Sequence, residues 1–172
     1  GEGIFGLPFS EEEAKVVFVP VPWDATTSYG GGTSNGPEAI KKASWQMDLF
    51  DPDSIDPFAV GAFMRPTPQK IKALNKEARS LALKIIKASE EEIEKSKALQ
   101  KTLDKVNHMS GQLNMWVYLQ FKELLEAGKI PFLIGGDHST PYGAIKAYAQ
   151  KYPGLGILHF DAHSDTREAY MG

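Results

Sequence analysis

Four short apolar segments, separated by stretches with helical periodicity, constrain the fold of this chain more than any other feature. They comprise residues 16–19, 58–63, 130–134 and 155–160. Each has the length and the β-branched or aromatic content of a buried strand. Strands that alternate with helices form parallel sheets covered by helices on both faces. The pattern therefore predicts an α/β fold with three layers, αβα, and a mainly parallel sheet.

The segments between the strands have the features of amphipathic helices. The first begins at Gly36-Pro37-Glu38, with proline at its first position and an acid in its first turn, and is predicted to extend to about Leu49. The last begins at Thr140-Pro141, with threonine as the predicted cap, and ends near Gly154. Residues 24–36 are rich in Thr, Ser and Gly and are predicted to form a loop.

The longest helical segment spans about residues 67–127. Thr67 is predicted to cap its start, and a break is predicted at Asn107–Gly111, between two apolar stripes. Charged residues dominate from Ser89 to Ala98, and a solvated face or a protruding helix tip is the preferred interpretation. A partner-binding coiled coil is the alternative, although the heptad pattern breaks where it would need to continue.

Composition narrows the chemistry open to the chain. It has no cysteine, so any metal ion must be held by His and carboxylate ligands. The net charge is only −3 and there is no basic patch, which gives no support for nucleic-acid binding. There is no apolar run of transmembrane length, and the first twenty residues lack the layout of a secretory signal. We therefore expect a soluble cytoplasmic protein that binds neither membranes nor nucleic acids.

Polar motifs follow the third and the fourth predicted strands. Gly135-Gly136-Asp137-His138 comes directly after the third strand, and Asp161-Ala162-His163-Ser164-Asp165 comes after the fourth. Parallel α/β sheets bind their ligands at the carboxyl ends of the strands. Both motifs are therefore expected at the same edge of the sheet.

Asp161, His163 and Asp165 occupy positions i, i+2 and i+4. In extended backbone this spacing directs all three side chains to one side. Ionisable groups that project together past a buried strand would repel or lie desolvated unless a divalent cation neutralised them. His138 would add a second imidazole from the preceding strand. Manganese, magnesium and zinc all suit this ligand set, and the oxygen ligands favour manganese.

The other polar residues near these motifs have simpler explanations. His138, taken alone, is more often a turn residue bonded to the backbone. Ser139 is interpreted as structural or as a support for the ligands, because Gly-x-Ser-x-Gly is absent and no acid–base relay can be assigned. His108 has no ligand near it in the sequence, and His159 is predicted to face the packed side of its strand. Neither histidine is included in the metal site.

At these motifs the sequence resembles the ureohydrolase family, which comprises arginase, agmatinase, guanidinobutyrase, proclavaminate amidinohydrolase and formimidoylglutamase. Two family signatures are present as Gly135-Gly-Asp-His-Ser139 and Asp161-Ala-His-Ser-Asp165. A weaker match is Pro22-Trp-Asp-Ala-Thr-Thr-Ser-Tyr29, followed by Gly36-Pro-Glu-Ala-Ile40. The match covers most of the chain except about residues 65–112. The nearest sequences are of the agmatinase type.

The resemblance implies a site with two Mn²⁺ ions. His138 and Asp165 would bind one ion, His163 would bind the other, and Asp161 would bridge them. The family's remaining ligands, in a Ser-x-Asp-x-Asp motif, are expected beyond Gly172, as are its substrate-contacting glutamate and its proton-shuttling histidine. Residues 1–172 are therefore predicted to be the N-terminal half of one arginase-like αβα domain, truncated to about the first four strands. By itself this chain is expected to be inactive and to hold metal weakly.

The implied reaction is hydrolysis of a guanidino compound, a linear amidine, to urea and an amine. A metal-activated hydroxide would attack the guanidinium carbon, and a proton would be supplied to the leaving nitrogen. Agmatine, giving putrescine, is the preferred substrate, with arginine or formimidoylglutamate as alternatives. Arg167 stands where animal arginases have an asparagine that helps to hold the substrate carboxylate. The family habit also implies a homo-oligomer, a trimer or a hexamer. A non-catalytic scaffold or regulatory subunit, working through the helices at 67–127, is the alternative of another class.

Overall fold

In the computed structural model, which describes residues 2–27 and 29–166, the chain forms a three-stranded parallel sheet. The strands are β1 (Val16–Pro20), β2 (Ala62–Met64) and β3 (Ile130–Ile134), in the spatial order β2-β1-β3. Val16 of the central strand is aligned with Ala62 on one side and with Ile130 on the other. The prediction of an α/β fold with a parallel sheet is confirmed.

Helices fill the connections between the strands, as parallel pairing requires. They are α1 (Gly36–Ser44), α2 (Gln69–Ile86), α3 (Glu90–Lys95), α4 (Lys97–Glu126) and α5 (Tyr142–Lys151), with short 3-10 turns at Ile4–Gly6 and Thr33–Asn35. α4 is the centre of its layer, because α2 and α5 both pack along it. Among the described residues, no helix combines the length and the apolar character that crossing a membrane would need.

The two faces of the sheet pack against different layers. Val17 and Val19 of β1 are fully buried in a core that includes Leu113, Val117 and Phe121 of α4. Phe18, which lies between the two valines, packs instead in a smaller cluster with Ile4 and Met64. This alternation is the two-residue period of a strand. It places α2, α4 and α5 on one face and the N-terminal turn, bonded to α1, on the other.

The predicted second strand was misplaced by several residues. Residues 58–60 form a turn, in which the Asp56 carboxylate accepts a hydrogen bond from the Phe58 N–H and Gly61 donates to the Phe58 carbonyl. Gly61 has a φ of 74°, and a Cβ there would lie 2.9 Å from the Cα of Ala14. The Gly61 carbonyl accepts the Val16 N–H, and the regular register with β1 begins at the next residue, Ala62.

The first helix is shorter than predicted, and two predicted caps are wrong. α1 ends at Ser44, whose hydroxyl donates to the Lys41 carbonyl and accepts the Phe5 N–H. The Thr67 hydroxyl donates to the Glu38 carboxylate, and the Thr140 hydroxyl donates to the Asp137 carbonyl. Prolines occupy both N-cap positions. Both hydroxyls donate to other oxygens, that of Thr67 in a long-range bond and that of Thr140 in a local one, so neither caps its helix.

The predicted break at Asn107–Gly111 does not occur. α4 continues through it for 30 residues, with Val106 and Leu113 buried on either side of Gly111. A glycine inside a helix costs about 1 kcal/mol, which burial of an apolar stripe outweighs. Before α4, the charged stretch has Glu91 and Lys95 paired with most of their side-chain surface in solvent. The preferred interpretation of a solvated face agrees with this exposure.

The predicted fourth strand is absent from the described residues. Residues 155–160 have no regular structure, and Ile157, Leu158 and Phe160 are mostly exposed. β3 is an edge strand, and none of these residues pairs with it. An apolar segment becomes a strand only when a neighbouring strand satisfies its backbone groups. The prediction of about four strands is therefore corrected to three.

Candidate metal centre

The carboxyl end of β3 passes very close to the segment that follows β1. A Cβ on Gly136 would lie 2.0 Å from the Trp23 carbonyl oxygen, so only glycine permits this approach. The Asp137 N–H then donates to the same Trp23 oxygen at 2.7 Å. Trp23 itself is fully buried. The first residues of the Gly135–Ser139 signature are thus anchored on the core.

The side chain of Asp137 joins two loops. One carboxylate oxygen accepts hydrogen bonds from the Ser139 N–H and hydroxyl, two residues along the chain. The other accepts the Thr26 N–H at 3.1 Å and the Thr26 hydroxyl at 2.8 Å. Asp137 is 9% exposed, so these bonds replace water that the carboxylate has lost. Sequence reasoning gave Asp137 no role.

The loop from Asp24 to Ser34 is in turn fixed by α2. The carboxylate of Asp24 accepts hydrogen bonds from the Asn75 amide, the Gly32 N–H and the Ser34 hydroxyl. Burial acts to raise the pKa of Asp24, but these hydrogen bonds outweigh it and hold the pKa below its usual value. Arg79 donates to three backbone carbonyls of the same loop, those of Ala25, Thr27 and Gly30.

His138 is brought next to two of the predicted ligands. Its Nδ1 atom lies 3.4 Å from an oxygen of Asp161 and 3.2 Å from an oxygen of Asp165. His159 approaches the same two carboxylates at 3.8 and 4.0 Å. One donor atom from each of His138, His159, Asp161 and Asp165 lies within 4.8 Å of the others. This is the spacing of a single coordination sphere.

His163 lies outside this group of four. Its side chain is 83% exposed, and its Nδ1 atom is 3.4 Å from the other oxygen of Asp161. The expected extended backbone is wrong here, because the Asp161 carboxylate accepts the His163 N–H and Asp165 has a φ of 52°. This is the local turn that aspartate favours where no neighbouring strand holds the backbone straight. The turn brings Asp161 and Asp165 together and turns His163 away.

His159 was expected to face the packed side of a strand, and this expectation is wrong. Its ring lies 5.5 Å from that of His138, and its side chain is 43% exposed. His159 precedes Asp161 by two residues, so the same spacing argument that selected His163 could have selected His159. His108 lies on α4 and contacts Gln112, and Ser139 contacts Asp137. Neither belongs to the cluster.

The carboxylates and imidazoles of the cluster are suited to bind a cation. The hydrogen bond from the His163 N–H lowers the pKa of Asp161, desolvation by burial opposes this, and electrostatic interaction with the nearby imidazoles lowers the pKa further. Asp161 is therefore ionised at neutral pH. Two carboxylates and two imidazoles, without thiolate, form a donor set that accepts Mn²⁺, Zn²⁺ or Mg²⁺. The residues present fit a divalent metal ion.

An open cleft of about 550 Å³ lies beside the cluster. The loop after β1 forms one wall and the signature after β3 forms the other, so the lining residues are Thr26, Thr27, Tyr29, Thr33 and Gly136–Ser139. His138 belongs both to the cleft and to the carboxylate cluster. A small molecule in this cleft would therefore lie against the candidate metal ligand.

Comparisons with known proteins identify relatives of the whole chain. A family model described as the arginase family matches residues 14–172. An agmatinase of Bacillus anthracis is 31% identical over 95% of this chain. The N(1)-aminopropylagmatine ureohydrolase of Thermus thermophilus is 27% identical over 94% of it. The proclavaminate amidinohydrolase of Streptomyces clavuligerus is 29% identical over 91% of it. No solved structure matches the chain.

The chain spans less than half of the length of these relatives. The matched region is 44% of the agmatinase, 43% of the Thermus protein and 40% of the amidinohydrolase. Arg167, which bears on the choice of substrate, lies outside the residues that the structure describes.

Proposed function

The chain belongs to the arginase family, and on that premise we propose that it supplies the first half of the metal centre of a ureohydrolase. The complete enzyme hydrolyses a guanidino compound to urea and an amine. Residues 1–172 are one part of a single arginase-like domain and are inactive by themselves. The observation that carries this proposal is the approach of His138 to Asp161 and Asp165 beside an open cleft.

The proposed roles of the ligands follow the family pattern. His138 and Asp165 hold one Mn²⁺ ion, His163 holds the second, and Asp161 bridges the pair. When bound, such a pair of ions supplies a hydroxide at neutral pH. The approach of His138 to both carboxylates supports its grouping with Asp165. The contact of His163 with the opposite oxygen of Asp161 supports a carboxylate that has one oxygen directed to each ion.

The residues around the cleft bind and orient the substrate. Their hydroxyl and carbonyl groups offer hydrogen-bond acceptors to a guanidinium group, which has donors only. Agmatine is the proposed substrate, because the relatives include agmatinases and an N(1)-aminopropylagmatine ureohydrolase. Arginine and formimidoylglutamate are the runners-up. The enzyme is further proposed to be a cytoplasmic homo-oligomer, a trimer or a hexamer, as the family resemblance implies.

The test is a hydrolysis assay on the complete protein with Mn²⁺, which measures urea from agmatine and from arginine and formamide from formimidoylglutamate. The wild type is expected to release urea from agmatine in preference to arginine. His138→Ala is expected to lower the rate by at least about 100-fold, because it removes an imidazole from the cluster. His108→Ala is the matched control, since His108 lies on α4 and contacts only Gln112 among the described hydrogen-bond partners. Full activity of His138→Ala, or no urea from any guanidino compound, would contradict the proposal.

A further inference from the structure

We infer that Asp137 is a positioning residue for His138 and that it acts together with Thr26. The inference rests on the proposed function, in which His138 binds a metal ion. It goes further, because it gives a part in metal binding to a carboxylate and to a threonine that are themselves outside the ligand cluster. The link also explains why a loop that follows β1 is packed against the signature that follows β3.

The backbone on both sides of His138 is fixed through Asp137. On one side, the Asp137 N–H donates to the Trp23 carbonyl at 2.7 Å. On the other side, the Asp137 carboxylate accepts the Ser139 N–H at 3.0 Å, and the Asp137 carbonyl accepts the Thr140 hydroxyl at 2.9 Å. Because the backbone is already held, only the side-chain torsions of His138 remain to be fixed on metal binding. Pre-ordering a ligand in this way removes part of the entropic cost of binding.

The second oxygen of Asp137 connects this backbone to a distant part of the chain. It accepts both donors of Thr26, the N–H at 3.1 Å and the hydroxyl at 2.8 Å. Without this contact the Asp137–Ser139 turn would be tied to the segment after β1 only by the bond from the Asp137 N–H to the Trp23 carbonyl. With it, the position of the turn is set relative to the loop that forms the opposite wall of the cleft.

Residues of α2 hold that loop by hydrogen bonds. Arg79 donates to the carbonyls of Ala25 and Thr27, the two residues on either side of Thr26. Asn75 accepts the Asp24 N–H at 2.8 Å and donates to the Asp24 carboxylate. Thr26 thus presents its two donors from a fixed backbone. A series of hydrogen bonds therefore connects α2, through the loop and Asp137, to the backbone beside the candidate metal ligand His138.

Asp137→Asn separates the local turn from the long-range link. One amide oxygen can still accept the Ser139 N–H, so the turn survives. The amide NH₂ group then faces the Thr26 N–H, donor against donor, so this bond is lost, and the Thr26 hydroxyl no longer donates to a charged oxygen. Thr26→Val removes the hydroxyl donor, keeps the shape of the side chain and leaves the backbone N–H. Asp51→Asn is the matched control, because Asp51 accepts the Asp53 N–H in the same kind of turn at an exposed position.

The experiment is a calorimetric titration of Mn²⁺ into the metal-stripped complete protein, with thermal unfolding of the same stripped samples. Asp137→Asn is expected to weaken Mn²⁺ binding by about 10-fold or more, as loss of a ligand's supporting partners does. Thr26→Val is expected to weaken it by a smaller factor, and Asp51→Asn to leave it unchanged. The double variant is expected to bind no more weakly than Asp137→Asn alone, because both changes remove one shared interaction.

Each outcome shows whether Asp137 positions His138 for metal binding or only stabilises the fold. If Asp137→Asn lowers the unfolding temperature of the stripped protein but binds Mn²⁺ like the wild type, the inference is wrong. If Asp137→Asn does not fold, unchanged Mn²⁺ affinity in Thr26→Val overturns it instead. His138→Ala is titrated in parallel. Wild-type affinity in that variant would overturn the proposed function and this inference together, whereas loss of affinity only in His138→Ala would overturn this inference alone.

Discussion

The buried carboxylate of Asp24 shows how ionisation of one residue supports the cleft. Its pKa is held below the usual value in the folded chain by hydrogen bonds from Asn75, Gly32 and Ser34 that outweigh the opposing effect of burial. The folded state therefore binds fewer protons than the unfolded state between the two pKa values. The stabilisation is present above the usual pKa of aspartate and is lost as the pH falls through the lowered one.

We therefore predict that Asp24→Asn is destabilising at neutral pH and has a smaller effect in acid. Hydrogen bonds to a charged group contribute on the order of 2 kcal/mol, which sets the expected loss at pH 7. Urea denaturation of the complete protein at neutral and at acidic pH measures it. Asp104→Asn, an exposed aspartate on α4, is the control. An equal loss at both pH values would show that the charge of Asp24 is not responsible.

For single residues, the sequence was sufficient to identify those site candidates that residue type and local spacing reveal. The types and spacing of His138, Asp161 and Asp165 selected residues that the structure brings together. The extended backbone assumed at Asp161 does not occur, so His163 lies outside the cluster and His159 lies inside it, while the assignment of His163 as a metal ligand stays a prediction. Asp137 and Thr26 were missed because their contact joins positions 111 residues apart. No local pattern marks such a pair.

Among the elements, α4 is the one whose continuity the sequence did not show. Gly111 lies in its interior, and a Cβ there would meet nothing within 4 Å. We predict that Gly111→Ala stabilises the complete protein by about 0.5–1 kcal/mol, because alanine loses less backbone entropy in a helix. The midpoint of denaturant unfolding measures this change.

Gly128, just after the end of α4, is the matched glycine for that experiment. It has a φ of 71°, so Gly128→Ala is expected to be destabilising although no atom lies within 4 Å of the added Cβ. Destabilisation by Gly111→Ala as well would indicate that the chain does turn at Asn107–Gly111 and that α4 is two helices.

Element type was more predictable than element boundaries. β1 and β3 were placed within a residue of their observed bounds, because β-branched and aromatic residues are concentrated there. β2 and α1 were misplaced, because Gly61 and Ser44 make contacts with Ala14 and Phe5 that end or delay the regular backbone. Residues 155–160 have the composition of a strand, but no strand beside them in the described part of the chain supplies hydrogen-bond partners.

For the whole molecule, the described surface includes large exposed apolar side chains. Phe132 on β3 and Leu158 and Phe160 beyond α5 are all more than half exposed. Exposed apolar groups of this size are often covered by other protein surface. The chain spans less than half of the length of the relatives that it matches. The complete protein is therefore the proper subject of every functional test.

We propose that Asp161 bridges two metal ions to which His138 and His163 contribute separately. The two dications repel each other strongly at any interior dielectric, so the bridging negative charge is needed for both to bind. Asp161→Asn keeps the shape of the side chain and removes that charge. Asp56→Asn is the control, because Asp56 accepts an N–H two residues along the chain in the same way at an exposed position.

Metal content per chain, measured by elemental analysis of the purified complete protein after Mn²⁺ loading, distinguishes a binuclear site from a single-metal one. We predict about two Mn²⁺ ions in the wild type and in Asp56→Asn. Both ions are expected to be lost in Asp161→Asn, and mainly one in His163→Ala. A wild type that saturates at a single ion per chain, or an Asp161→Asn variant that keeps two, would contradict the binuclear site.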